Sequence, residues 1–239
     1  MTASAPGTLY LVPNLLGAVP PESVLPARTI EIARRLTHFA VETPKAARAF
    51  LKALDVAPPI ARLSIVPLPS ADAADARDPS LAALLAGRDV GLLSDAGCPG
   101  VADPGAWLVR AAHAHAVRVA PLVGPSAILL ALMASGMNGQ SFCFHGYLPA
   151  KPAARVVALR ELEAQSRRVR RTEMFIETPY RNAALLEAMT ETLDAKTRIC
   201  VAADLTLATE TIESRTARQW RGESAARFDK RPAMFLLTA

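Results

Sequence analysis

Cysteine is scarce in this chain. Its 239 residues hold three, at 98, 143 and 200, with no C-x-x-C pair. That odd number and wide spacing exclude a disulfide framework and a cysteine-based zinc site, and they suit a reducing cytoplasm. Histidine is as sparse, with four residues at 38, 113, 115 and 145. His113 and His115 lie two apart and do not share a helix face, so the sequence offers no metal constellation. The N-terminus lacks a basic region followed by an apolar core, so no signal peptide is expected. The stretch of residues 119–137 carries no charge and approaches the length of a membrane span, but Pro121, Gly124 and Pro125 break its first third. It reads as a buried strand and then a helix, and no membrane span is expected. Nucleotide fingerprints are missing too: there is no G-x-G-x-x-G and no P-loop. Ser126 stands in Gly124-Pro125-Ser126-Ala127-Ile128, which is not the G-x-S-x-G of a serine hydrolase.

Apolar residues make up 51% of the chain. That supports ordered cores and argues against disorder. The formal charge is +5. The second half holds most of the excess, with Arg167, Arg168, Arg170 and Arg171 close together, a pattern compatible with a phosphate-bearing partner. Strand-like runs at 8–13, 39–42, 62–67, 89–94 and 117–122 alternate with helical stretches at 28–36, 44–54, 80–87, 103–115 and 125–135. This βαβα order predicts a largely parallel sheet covered by helices. Asp103 is read as the cap of its helix. A Gly/Asn cluster at 136–140 breaks the pattern. The predicted organisation is therefore an N-terminal α/β domain, 1–138, with a mainly parallel sheet, and a C-terminal α/β domain, 139–239, with a mixed sheet. The second domain has strands at 142–147, 173–176, 198–203 and 233–237 and helices at 152–165 and 181–193. An alternating stretch at 209–215 suits an antiparallel strand.

Ligands of parallel α/β sheets sit beyond the carboxyl ends of the strands. Three loops there join small residues to a polar group: Val12-Pro13-Asn14-Leu15-Leu16-Gly17, Asp95-Ala96-Gly97-Cys98-Pro99-Gly100 running on to Asp103-Pro104-Gly105, and Val123-Gly124-Pro125-Ser126-Ala127. Backbone groups in such loops can approach a ligand closely. The Asp95 loop has a carboxylate and no lysine, which disfavours a polyphosphate and suits a compact zwitterion such as S-adenosylmethionine.

Together these loops resemble those of the tetrapyrrole (corrin/porphyrin) methylase family. The matching stretches are residues 7–13, 93–99 with 103–105, and 121–127 in the first half, and 142–151, 176–181, 203–206 and 210–212 in the second. They run in family order over nearly the whole chain. Ser94-Asp95-Ala96-Gly97 and Gly146-Tyr147-Leu148-Pro149-Ala150-Lys151 most resemble the branch that methylates the 2′-oxygen of a cytidine ribose in small-subunit ribosomal RNA. One stretch departs from that branch: where it carries Ala-Glu-Asp-Thr-Arg, this chain has Ala40-Val41-Glu42-Thr43-Pro44.

The resemblance implies a class III methyltransferase fold with an active site in the interdomain cleft, S-adenosyl-L-methionine as cofactor, RNA of the small ribosomal subunit as partner, and a homodimer. It carries over Leu15, Asp95, Ala96, Cys98, Ser126, Ala127, Glu177, Ala203, Leu205 and Ala233 as cofactor-binding residues. By placement at strand ends, Glu177, Tyr180 and His145 are candidate bases. Lys151, Arg155 and Arg181 suit phosphate or acceptor binding. Two alternatives stay open: methylation of a small molecule such as a tetrapyrrole, and a non-catalytic cofactor-binding paralogue, which the altered stretch at 42–44 motivates.

Overall fold

The computed structural model describes residues 5–69 and 78–239. The chain divides into two compact units, 1–126 and 127–239. The first contains β1 (Thr8–Leu11), α1 (Ala27–Arg35), β2 (His38–Val41), α2 (Pro44–Ala53), β3 (Ser64–Pro67), α3 (Pro79–Leu85), β4 (Val90–Leu93), α4 (Ala106–Ala114) and β5 (Arg118–Pro121). The second contains α5 (Ala127–Ser135), β6 (Phe142–Tyr147), α6 (Pro152–Val169), β7 (Thr172–Ile176), α7 (Asn182–Thr192), β8 (Arg198–Ala203), β9 (Thr211–Thr216), α8 (Ala217–Trp220) and β10 (Ala233–Thr238).

The first sheet has the order β3-β2-β4-β1-β5, and every pairing in it is parallel. Its strands alternate their side chains between two cores, one on each face. Phe39, Val41 and Leu93 join Phe50 and Leu51 of α2 on one side. Ala40, Val90 and Leu92 join Leu81, Trp107 and Leu108 from α3 and α4 on the other. Burial on both faces accounts for the unbroken apolar run of β4. The connection from β1 to β2 passes over β4, and the connection from β4 to β5 passes back over β1. The carboxyl ends of β1 and β4 therefore form a topological switch point, where open α/β sheets bind ligands.

α4 starts at Ala106, later than the sequence suggests, and Asp103 is not its cap. The chain turns at Gly105, whose φ is 117°. A Cβ added there would lie 2.8 Å from a Leu92 methyl group. Only glycine meets both constraints, so Asp103 stays in the loop after β4.

In the second unit the order is β6-β7-β10-β8-β9. β6 and β7 are parallel and the other pairings antiparallel, so the sheet is mixed. One face, with Phe175, Phe235, Ile199 and Val201, is buried under α6 and α7. α5 packs against β8, β9 and β10. The helix expected from its sequence is present, but it groups with the second unit, and the division falls at 126 rather than within 136–140. α6 runs to Val169 and takes up Arg167 and Arg168, where the sequence suggested an end at 165. Among the described residues no helix is long and apolar enough to cross a membrane.

Candidate functional site

In the first unit, hydrogen bonds from three loops converge on the switch point. Asn14 pairs with Gly97 through two backbone bonds, Asn14 N–H to Gly97 O at 2.8 Å and Gly97 N–H to Asn14 O at 3.2 Å. Its side chain is buried at 4% exposure. The amide Nδ2 donates to the Ser94 and Asp95 carbonyls, both at 3.0 Å, and Oδ1 accepts from Leu15 N–H at 2.8 Å. One side chain thus locks the loop after β1 to the loop after β4. Cys98 Sγ donates to the Pro125 carbonyl at 3.5 Å, which ties in the loop after β5. That third loop lies close to the first: a Cβ on Gly124 would come within 2.4 Å of Pro13 Cβ, so only glycine fits.

Asp95 is fastened from the end of β2. Thr43 donates to Asp95 Oδ1 from its backbone N–H at 3.1 Å and from its hydroxyl at 2.9 Å. Glu42 Oε2 accepts the Asp95 N–H at 2.9 Å. The stretch at 42–44 that departs from the family pattern therefore makes a working clamp on the Asp95 loop. Thr43 also caps α2 by accepting from Ala46 N–H at 3.4 Å. Beside this clamp lies a groove of about 670 Å³, walled by residues 14–20, the α2 side chains Ala46, Ala49, Phe50 and Ala53, and Asp95 and Ala96. Its size is in the range of small-molecule sites. Leu15, Asp95 and Ala96 are the carried-over residues that share it.

Asp103 lies near two other carboxylates. Burial, the Glu42 charge and the Asp95 charge push its pKa up from 3.8 to about 6, with the Ser94 hydroxyl pulling the other way. Burial and the Asp103 charge also push the Cys98 thiol upward. A raised carboxyl pKa stabilises the fold when the group is protonated. That stability is complete below the ordinary value and is lost as pH rises through about 6. Asp103→Asn removes the titration. In thermal unfolding, the wild type should lose stability relative to this variant between about pH 4 and pH 6 and stay below it at pH 7. A constant difference across that window would remove Asp103 from the acidic cluster.

In the second unit, Glu177, Ala203, Leu205 and Ala233 come together at one end of the sheet. Glu177 directly follows β7, Ala203 pairs with Ala233, and Leu205 lies just past β8. The two alanines and Leu205 are buried at 9% exposure or less, so what they can offer a ligand is backbone. Glu177 Oε1 accepts from Arg181 Nε at 2.9 Å, Arg181 Nη2 at 2.6 Å and Thr178 N–H at 2.7 Å. Burial opposes ionisation of Glu177, but the Arg181 and Thr178 bonds and the Arg181 charge outweigh it and hold the carboxyl below its ordinary range. A carboxylate so stabilised is a weak base and a firm anchor. Tyr180, 67% exposed, lies under the Arg181 guanidinium at 5.4 Å. Lys151 is the exposed cap residue of α6.

His145 does not join that group. Its Nε2 lies 2.7 Å from Oε2 of Glu173, a fully buried carboxylate whose other oxygen accepts from Arg171 Nε at 2.7 Å. With Cys143 these residues bring three metal-type donor atoms within 4.8 Å of one another, which corrects the expectation of no such constellation. Spacing in the sequence could not reveal it, because Glu173 comes from the neighbouring strand, opposite Cys143. Arg171 donates to one Glu173 oxygen and His145 lies within hydrogen-bond distance of the other, so both oxygens of that carboxylate are engaged. Asn14 and Asp103 lie in strand-end loops that the sequence singles out without being among its candidate site residues, and Glu173 carries no sequence signal as a site residue.

A family model described as Tetrapyrrole (Corrin/Porphyrin) Methylases matches residues 19–220. The chain is 41% identical over 155 residues to "Ribosomal RNA small subunit methyltransferase I" of Mesorhizobium japonicum, a match covering 65% of this chain and 51%, about half, of that protein. The relative of the same name from Xylella fastidiosa is 32% identical over 234 residues, covering 98% of this chain and 81% of that protein. Among solved structures, the methyltransferase CobJ aligns with a TM-score of 0.58 at 21% identity, covering 98% of this chain and 94% of that one. That likeness is one of fold.

Proposed function

Since the chain belongs to the tetrapyrrole (corrin/porphyrin) methylase family, we propose that it transfers a methyl group from S-adenosylmethionine to RNA of the small ribosomal subunit, at a ribose 2′-oxygen. The observation that carries this reading is the likeness along 98% of the chain to a relative named for that subunit's RNA. The clamp of Glu42 and Thr43 on Asp95 supports an intact cofactor loop over a non-catalytic one.

The residues present fit the cofactor. The groove beside Asp95 is apolar for most of its wall, with a carboxylate at its edge and no lysine, as a zwitterionic nucleoside requires. In the first unit Leu15, Asp95, Ala96, Cys98 and Ser126 would hold it. In the second unit the proposed cofactor residues are Ala127, Glu177, Ala203, Leu205 and Ala233. When bound, S-adenosylmethionine supplies a methyl group on a sulfonium sulfur, transferred with the S–C bonding pair left on sulfur. The chain's own task is alignment, worth roughly 7–11 kcal/mol in a well-oriented pair, and exclusion of water. Arg181, fixed by Glu177, and the exposed Lys151 and Tyr180 would meet the acceptor. The same reading includes a cytoplasmic setting and a homodimer, for which the apolar α5, with Met133 78% exposed, offers a face.

The test is incubation of the purified chain with methyl-labelled cofactor and small ribosomal subunits from a strain lacking the gene. Label is expected in the RNA, with binding that weakens steeply with salt as counterions are released. Label only in a small acidic molecule, or none with cofactor bound, would overturn the assignment.

A further inference from the structure

The geometry points to a phosphate-binding site at the amino-terminal turn of α6, with Arg155 as its cation. Arg155 is 6% exposed, yet its Nε and Nη1 have no hydrogen-bond partner. A guanidinium stays charged in proteins. Burying such a charge unpaired is strongly unfavourable, which calls for an anion.

Its position says where that anion belongs. The buried stripe of α6 is Arg155, Leu159, Leu162 and Ser166, and Arg155 is the member nearest the N-terminus. Helical side chains lean toward the N-terminus of their helix, so the guanidinium is directed over the first turn. That turn is open. No side chain caps it, and Pro152 at its first position has no N–H. Ala153 and Ala154 are small and exposed, and their N–H groups belong to the set that a helix leaves without internal partners. The 18-residue helix adds the positive end of its dipole. Lys151, one turn back from Arg155 and therefore on the same face, adds a second charge.

The competing carboxylate is accounted for. α6 begins just beyond the carboxyl end of β6, which runs parallel to β7, and Glu177 follows β7 directly. Glu177 Oε1 is held by Arg181 at 2.6 Å, and although its Oε2 is buried without a hydrogen-bond partner, the charge acting on this carboxyl is that of Arg181, not Arg155. A phosphate suits this site because it accepts two parallel bonds from a guanidinium edge together with helix N–H groups. Naming the phosphate's owner as an RNA backbone rests on the methyltransferase reading; the phosphate site does not.

The experiment uses the full chain, inorganic phosphate, a short single-stranded oligoribonucleotide and S-adenosylhomocysteine. Phosphate should raise the thermal midpoint of the wild type. Arg155→Met, which keeps the length and removes the charge, should unfold no earlier than the wild type in phosphate-free buffer, because it removes an uncompensated buried cation. It should gain nothing from phosphate and lose about tenfold in oligoribonucleotide affinity, with S-adenosylhomocysteine affinity unchanged. Arg155→Lys should keep part of the phosphate response. The site is refuted if Arg155→Met is less stable without phosphate, since Arg155 then has an internal partner, or if phosphate protects it as fully as the wild type. A parallel loss of S-adenosylhomocysteine affinity would assign Arg155 to the cofactor's carboxylate and also refute the proposal. Failure of both proteins to bind S-adenosylhomocysteine would count against the methyltransferase reading alone, because the phosphate arms are read without it.

Discussion

Replacing Asn14 with Leu is expected to cost about 2–4 kcal/mol of stability and at least about tenfold in S-adenosylhomocysteine affinity. The two side chains are close in volume, so packing changes little. The hydrogen bonds change a great deal. The Asn14 amide serves the Ser94 carbonyl, the Asp95 carbonyl and the Leu15 N–H, at 2.8–3.0 Å. A buried polar group left without its partner costs about 1–3 kcal/mol, and here up to three groups lose theirs. Asp95 is an exposed residue, and water reaching its carbonyl would offset part of this. The affinity loss has a separate cause. Residues 14–20, Asp95 and Ala96 form one wall of the groove, and Asn14 holds the two loops of that wall together. Asn14→Asp is the sharper comparison. It keeps an acceptor for Leu15 but turns a donor into a second acceptor facing two carbonyls, so it should be at least as harmful as Leu. Urea unfolding and calorimetric titration measure the two effects. A folded Asn14→Leu protein with unaltered cofactor affinity would place the cofactor away from this groove.

Glu177→Ala should have an effect of similar size on stability, about 3 kcal/mol. Glu177 is 4% exposed and accepts four bonds on one oxygen, two from Arg181 and two from Thr178. Removing it leaves Arg181, whose side chain is 30% exposed, beside a hole with its charge unmatched. Removing both charges should be gentler than removing one, so Arg181→Met added to Glu177→Ala should recover part of the loss in a double-mutant cycle. The pH dependence follows from the lowered carboxyl pKa. Glu177 contributes its stability above the ordinary carboxylate range and loses it as pH falls through its lowered value. The difference between wild type and Glu177→Gln should therefore shrink in acid. This trend is opposite in sign to the one at Asp103, although both residues follow a strand end. The difference lies in their neighbours: an arginine beside Glu177, and two carboxylates beside Asp103. Additive single and double mutants would mean that the ion pair contributes no net stability.

Much of the fold was readable from local patterns. The apolar run of β4, the prolines that open α2 and α6, and the alternation in β9 each mark an element, because burial and backbone geometry act over a few neighbouring residues. The order of those elements implied a parallel first sheet and a mixed second one, and both are present. The loops at the strand ends were legible for the same reason, as were Glu177, Tyr180 and Arg181 within one short turn. Two local readings missed their mark. Asp103 looked like a helix cap until Gly105 took the turn, and the break at 136–140 looked like a boundary although α5 packs against the second sheet.

What the sequence by itself determined is the class of the protein: the alternation of strands and helices, the small-residue loops and the family they resemble. These depend on residues close together in the chain. What only the tertiary structure decided is which groups meet. Asn14 reaches a carbonyl 81 residues away, Thr43 meets Asp95 across 52, and Glu173 meets His145 from the next strand. Arg155 is left buried with its Nε and Nη1 unpartnered. Hydrogen bonds and charge pairs depend on distances of about 3 Å, and chain folding sets such distances between segments whose sequences carry no record of one another.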